Sequence, residues 1–580
     1  MPGIQISTAV RTGPTNSTVR ESSQAFFVGK ALRGPTNAAL LVTSLEDFEL
    51  KYGGFVSGYY LHPTVEAFFE EGGTQCYVVR VEPATDAAAA TKTLANASAT
   101  AITLTASGPG TWANGATGGL SVVVSAGSTT NSRSVAIYLN SVLVMTTGTC
   151  TSNAQIVGKI NTHPVASLYM TATENIAGTA AAGTMIVTAA SSNFTGGVDG
   201  TGSVSNAQYE TALTYFLDSY GTGIVSIPEV ASTAVQTITR TISAVVHSSG
   251  TTTYTTSTAH GLAVGDSVEI TGIVHADFSG TKTVATVPST TTFTVTNAST
   301  ESVSDQSGSL SYSSNVLDDV TSDIIAHCNT YSRIAALHGA YDDTTSEIRT
   351  LALRVQAGDN AEHIGVYYPW VSAPTGVVGI NRWIPPSGYV AGARARAHNQ
   401  VGPHQPGAGI ISDARFVNGV YASIDKTVGD ELDADCVNAI RIINNRVRIY
   451  GARSCSSDTT NFRYLNAQDV VNYVVVQANR SLEDVLFGLI DGRGGMFASI
   501  EARLVAVMEP LRTLGALYEA FDVNGRRIDF GYTVKCNDSL NPLSQLVNGT
   551  VTARVGLRVS SVGDSIQVDI IKSNLTTSVV

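Results

Sequence analysis

Serine, histidine and cysteine are the residues of this chain that could do covalent or metal chemistry, and their neighbours decide whether they do. Ser387 precedes Gly388 at what reads as a helix opening, a setting that suits an acyl-transfer nucleophile. A nucleophile elbow needs glycines two residues to either side of the serine, and Pro385 and Tyr389 stand there instead. No motif gives His338, beside Gly339, an acidic partner for a triad. Ser387 therefore reads as a helix cap after the turn at Pro385 and Pro386. His260 has no neighbouring His or Cys and reads as a turn residue. The six cysteines (Cys76, Cys150, Cys328, Cys436, Cys455 and Cys536) are scattered with no CxxC pair. Zinc ligation needs closer spacing, so reduced, mostly buried thiols are expected. No GxxxxGK[ST] segment offers a phosphate cradle. The expectation is a chain with no catalytic residue, no cofactor and no metal.

Charge narrows the partners. The 46 acidic and 34 basic residues leave a formal net charge of −12. The densest basic groups are only Arg394 with Arg396, and Arg441 with Arg446 and Arg448. Phosphate backbones attract a basic face or run, so direct nucleic-acid binding is not expected. Charged residues make up 14% of the chain, well below the usual quarter, which suits surface that ends against other subunits. Abundant Thr, Ser and Gly would lower the charged fraction too. The opening Met1-Pro2-Gly3-Ile4-Gln5 lacks a signal-peptide pattern, and no apolar run reaches membrane-spanning length. A soluble, non-exported start and no membrane insertion are expected.

The elements that would hold such residues alternate between two textures. Ala25–Gly29 reads as an apolar strand, Ser44 with Asp47 as a capping box, Pro63 as an early helix position, and Cys76–Val81 as a buried strand. Residues 86–198 turn Ala/Thr/Ser/Gly-rich and read as an inserted β domain. Ser205 with Gln208 box another helix, and Ile224–Ile227 is a strand before Pro228. Residues 239–312 alternate with period two between turn glycines and read as a second, small β module. A helix face at Val316, Val320, Ile324 and Cys328 follows, then a strand at Ile334–Leu337. Thr344 with Glu347 boxes a helix before a strand at Ile364–Tyr368. This order predicts an α/β core, a parallel-type sheet covered by helices and interrupted at surface loops by two β-rich insertions. Core parts are expected at 21–85, 199–238 and 313–400, after an extended arm at 1–20.

Residues 401–580 read as a separate α+β C-terminal unit. Asn444-Asn445 signals a hairpin, and Asn466 with Asp469 a helix cap. A second helix should break or restart at Pro510, and the last strand alternates Ile566, Val568 and Ile570.

Several strings in this order resemble the tail sheath proteins of contractile bacteriophages. They are Pro2-Gly3-Ile4, Phe26-Phe27-Val28-Gly29, Tyr52-Gly53-Gly54-Phe55, and Phe68-Phe69-Glu70-Glu71-Gly72-Gly73 through Val81. Pro109-Gly110-Thr111-Trp112, Tyr367-Tyr368-Pro369-Trp370, Ile384-Pro385-Pro386-Ser387-Gly388-Tyr389, and Tyr450-Gly451-Ala452-Arg453 continue the series. Val534-Lys535-Cys536-Asn537 with Asn541-Pro542 closes it. Residues 140–191 and 239–312 carry none of the strings on which the resemblance rests.

The resemblance implies a structural subunit, not an enzyme. It would stack as hexameric rings around an inner tail tube, join baseplate and tail terminator proteins, and reside in the virion after cytoplasmic assembly. Contraction from a metastable extended state would drive the tube through the host envelope. Ile4 and Ile6, with Ile566, Val568 and Ile570, have the alternation of strand addition, which an ordinary edge strand shares. The resemblance assigns them to exchange between subunits. It also makes the helical region at 500–517 the tube-facing part, with Arg503 and Arg512 as candidates for acidic tube residues; solvated arginines would look the same. The alternative is a tail-associated adhesin, for which the insertions carry few aromatics: Trp112, Tyr138 and Tyr254.

Overall fold

The computed structural model describes residues 21–564, apart from 235, 305, 315, 316, 376 and 378. It divides into two compact units, one formed by Met1–Ala231 with Asp323–Val580, the other by Ser232–Ser322.

The first unit is built on an eight-stranded sheet. Its strands are β1 (Ala25–Gly29), β2 (Leu40–Val42), β3 (Cys76–Arg80), β4 (Ile224–Ser226), β5 (Ile334–Leu337), β6 (Ile364–Tyr368), β7 (Val437–Ile443) and β8 (Arg446–Ile449). They lie in the order β2-β3-β1-β4-β5-β6-β7-β8. The six central strands run parallel and the two edges antiparallel. Parallel strands covered on both faces must be apolar at nearly every position, and β1, β4, β5 and β6 are buried throughout. This is the helix-covered parallel sheet that the sequence predicts. The Asn444-Asn445 hairpin, expected in the C-terminal unit, instead supplies β7 and β8 and so completes the core sheet.

Helices α1 (Leu45–Tyr52), α2 (Leu61–Glu70), α3 (Asn206–Thr214), α4 (Thr345–Gln356) and α5 (Ser387–Gln400) belong to the core. Ser44 caps α1 by accepting from Asp47 N, and the boxes at Ser205/Gln208 and Thr344/Glu347 both form. Helix α5 is buried from Ser387 to His398. It lies so close to α2 that a Cβ on Gly388 would meet the Thr64 carbonyl oxygen at 2.3 Å, and one on Gly392 the Phe68 carbonyl oxygen at 2.7 Å. Two glycines one turn apart thus set the spacing of the two helices.

Three carboxylates lock this core, two of them buried outright. Glu71 at the end of α2 accepts from the backbone N–H groups of Arg415 (3.0 Å), Phe416 (2.9 Å) and Val417 (3.1 Å), and lies 3.4 Å from Arg396 Nη1. Asp469 takes Arg394 through two bonds, 2.5 and 3.1 Å, while Arg394 Nη1 donates to the Ser22 carbonyl at 2.6 Å. Glu229, just past β4, accepts at Oε1 from Lys30 N (3.2 Å), Tyr60 N (3.0 Å) and Leu61 N (3.1 Å). It thereby caps α2, whose own N-cap residue Tyr60 provides no side-chain bond. Part of the Glu229 side chain reaches the surface, but its Oε2 is enclosed without a hydrogen-bond partner. Burial pushes its carboxyl up to about 7, against the pull of the three N–H donors and Lys30.

The first insertion leaves and re-enters the core side by side, with Ala88 bridged to Val198 and Thr85 to Thr201. It holds a three-stranded sheet (Thr91–Ala95, Thr100–Ala106, Met170–Glu174) and a four-stranded one (Leu120–Ala126, Arg133–Leu139, Val142–Thr146, Ala189–Asn193) around its own apolar core. It also contains a helix, Asn153–Thr162, that the reading as a β domain left out. Ser152 accepts from Gln155 N at 3.2 Å and Gln155 Oε1 from Thr151 N at 2.8 Å. Ile156 and Ile160, buried one turn apart, seat the helix.

The second unit is a closed antiparallel barrel of six strands. They adjoin in the order Gln236–Ser248, Thr251–Thr256, Thr292–Thr296, Gly280–Ser289, Ser267–Thr271 and Gly308–Ser314. Tyr254, Phe278, Phe293 and Leu310 fill it. His260 is buried in the loop after Thr256, where its Nδ1 accepts from Leu262 N at 3.0 Å and its carbonyl accepts from the Tyr312 hydroxyl.

Candidate assembly surface

The residues singled out for chemistry are far from a catalytic arrangement. Ser387 is the first residue of α5, after the N-cap position at Pro386, so it does not cap the helix as expected. Its Oγ is buried without a hydrogen-bond partner, and no base reaches it. His338 is buried against the Trp370 ring, which pushes its imidazole down to about 4. All six cysteines are buried and free. Among the described residues, no three His, Cys, Asp or Glu side chains converge to hold a metal ion. No described helix is long and apolar enough to cross a membrane.

The C-terminal part offers a different kind of site. Helices α6 (Leu465–Leu482) and α7 (Gly495–Thr513) pack together and carry a two-stranded sheet, β9 (Tyr532–Lys535) paired antiparallel with β10 (Arg554–Leu557). Along both strands side chains alternate. Tyr532, Val534, Val555 and Leu557 turn to the helices, beside Val470, Met508 and Leu511, while Lys535 and Arg554 face out. Asn541 holds the connection between the strands, accepting from Thr552 N at 2.6 Å and donating to the Thr552 carbonyl at 2.9 Å. Leu517 bridges Val559 just past β10, but among the described residues no third strand joins either edge along 532–535 and 554–557. Two strands are the minimum that pairs, and their outer backbone groups remain available for a further strand.

Asn466 and Asp469 do not cap α6. The helix starts at Leu465, and both residues lie inside its first turns. Asp469 binds Arg394 and Asn466 donates to the His404 carbonyl at 3.0 Å. Helix α7 runs through Pro510 without a break. The proline removes one hydrogen bond near the helix end, where packing of Met508 and Leu511 holds the turn.

Both candidate arginines lie in α7 and are engaged within the chain. Arg503 donates to the Ser481 carbonyl (2.8 Å) and to Asp484 (3.2 Å), with 36% of its side chain exposed. Arg512 bridges Glu509 (2.7 Å) and Glu519 (2.9 Å), and Glu509 also accepts from the Tyr532 hydroxyl at 2.5 Å. Those hydrogen bonds hold the Arg512 guanidinium above its ordinary range and the Glu509 carboxyl below its own.

Ile4, Ile6, Ile566, Val568 and Ile570 lie outside the described residues, as does Val316. The described chain is fastened where it adjoins those terminal segments. Ser22 accepts from Arg394, and Asp564 is held by Arg463 (3.4 Å) and the Tyr464 hydroxyl. Between residues 459–471 and the chain past β10 runs a groove of about 400 Å³, lined by Phe462, Arg463, Tyr464, Leu557 and Val559. Sequence reasoning missed it, because it forms between segments ninety residues apart.

This architecture has solved counterparts. The crystal structure of the sheath tail protein Lin1278 from Listeria innocua aligns with a TM-score of 0.51 at 12% identity, over 89% of each chain. The chain has a tail-sheath fold. The contracted helical sheath of the anti-feeding prophage aligns over 99% of each chain, at 11% identity and a TM-score of 0.46. A chain of the anti-feeding prophage baseplate is matched over 66% of its own length and 44% of this one, at 16% identity and a TM-score of 0.36. No family model and no curated protein matches the sequence.

Proposed function

We propose that this protein is the structural subunit of a contractile tail sheath. The observation that carries the reading is the tail-sheath fold over 89% of the chain, with an incomplete two-stranded sheet on its C-terminal helix pair. In this reading subunits form hexameric rings stacked around an inner tube. The terminal segments bearing Ile4 and Ile6, and Ile566, Val568 and Ile570, add as strands to β9 and β10 of neighbouring copies. Backbone hydrogen bonds fix the register and alternate side chains fill the partner's face. The groove beside β10 and the fastening at Ser22 and Asp564 support this, since arms that bear load need firm roots. Contraction releases energy stored in the extended lattice and drives the tube through the host envelope.

Helix α7 is the tube-facing element, with Arg503 as its charged contact. Arg512 is spent on Glu509 and Glu519 inside the chain. Tube, baseplate and terminator proteins are the partners, and the virion tail is the location.

Negative-stain microscopy tests the reading. Purified protein should form rings or tubes, and removing residues 1–10 or the last fifteen should leave folded monomers. Polymers that persist unchanged after both deletions would defeat the exchange of arms.

A further inference from the structure

The C-terminal ends of the core strands carry an aromatic surface separate from the β9–β10 sheet. Past β5 the chain places Tyr341, and past β6 a strand at Val371–Pro374 pairs with Asn381–Ile384 and with Gly419–Val420. Trp383 stands on the second of these strands and Tyr421 just follows the third. Tyr341 and Tyr421 lie 4.2 Å apart between ring centroids, and Trp383 meets Tyr421 edge-on at 5.4 Å. Trp370 underlies Tyr341 at 5.5 Å, itself buried and bonded to the Gly339 carbonyl at 3.0 Å. The floor is therefore rigid, yet Tyr341, Trp383 and Tyr421 are each 37–40% exposed. Only three tryptophans occur in the chain, and leaving one part-exposed on a platform of edge-on and tilted rings is costly unless something covers it.

The rim of the platform is acidic. Asp342 is exposed beside Tyr341. Asp343 and Glu347 lie near enough to the Tyr368 phenol to join burial in raising it. An apolar surface with an acidic rim fits a partner that offers apolar side chains together with guanidinium groups, which also stack on aromatic faces.

This chain displays such a segment. Ala520–Phe521 and Arg527–Asp529 form a short hairpin whose tip reads Val523-Asn524-Gly525-Arg526. Val523 is fully exposed, Ile528 and Phe521 are more than half exposed, and Arg526 is exposed at the tip. We infer that the hairpin at 520–529 of one copy docks on the Tyr341–Trp383–Tyr421 platform of a second copy. Charge complementarity chooses this occupant: Arg526 meets the acidic rim while Val523 and Ile528 cover the rings. The inference rests on self-assembly of the chain, but adds a contact made by side chains rather than by exchanged strands.

The full-length protein tests it through its concentration threshold for polymer formation, read by pelleting. Trp383→Ala with Tyr421→Ala should raise the threshold about tenfold, with the monomer still unfolding in one cooperative step. Arg526→Glu should weaken assembly about as much, and adding Asp342→Arg to it should restore most of the loss. An unchanged threshold in the ring variant, or no rescue by the charge swap, overturns the contact. If wild-type chains make no polymer, sedimentation velocity at high concentration replaces pelleting. Dimers abolished by the ring variant then support the contact while the sheath reading falls, and strictly monomeric protein overturns both.

Discussion

Single carboxylates fasten this core, and their partners give each a different test. Glu229 sits near 7 in the folded chain against 4.5 in a free side chain, so folding favours its protonated form. The stability this gives is fully present below about pH 4.5 and is lost as pH rises to about 7, a change of up to ~3 kcal/mol. Glu229→Gln keeps an acceptor oxygen and stays neutral. Its melting temperature relative to wild type should rise between pH 5 and pH 8, and a constant difference would refute the burial argument. Asp469 differs because Arg394 neutralises it. Removing that arginine, as in Arg394→Met, leaves a buried carboxylate with only His398 Nε2, 3.5 Å away, beside it and should cost about 3–5 kcal/mol by urea unfolding. The double change with Asp469→Leu should recover most of that loss.

Elements whose signals are local were legible in the sequence. The boxes at Ser205/Gln208 and Thr344/Glu347 need only their own four residues, and the buried strands only their own apolar runs. Where a residue answers to a distant partner, local reading failed. Asn466 and Asp469 have cap-like spacing, but Arg394, 75 residues away, claims Asp469. Pro510 should break a helix, and tertiary packing carries α7 past it. The hairpin at Asn444-Asn445 was read correctly as a hairpin, while its place in the core sheet depended on β6, far back in the chain. The candidate surface was legible only in part. The alternation of β9 and β10 is visible in the sequence, but the aromatic platform joins residues 341, 383 and 421, which no motif connects. At this scale the open edges are the feature to test. Arg558 N donates to the Gly531 carbonyl, so Thr533 and Gly556, two residues along, turn their N–H groups to each other, while those of Val534 and Val555 point away from the partner strand. Val534→Pro or Val555→Pro removes an N–H that an added arm would pair with, and the variant on the receiving edge should abolish polymer with the β9–β10 ladder intact. If both variants polymerise normally, neither edge is used.

Along the whole chain an α/β unit alternates with β-rich segments, which fits a composition that changes texture twice. The barrel of residues 232–322 has a closed hydrogen-bond ring and an apolar core of its own. Expressed alone, that segment should unfold cooperatively, with dispersed amide resonances; a chain that stays unstructured would show that it depends on the larger unit.

The barrel's first and last strands are also neighbours, with Gln236 opposite Ser314. The backbone thus departs and comes back at points about 5 Å apart, the ordinary gap between paired strands. Such a doorway makes the passenger replaceable. Any compact domain with adjacent ends could be spliced between those two positions, so that the α/β unit would carry foreign cargo in place of its own barrel.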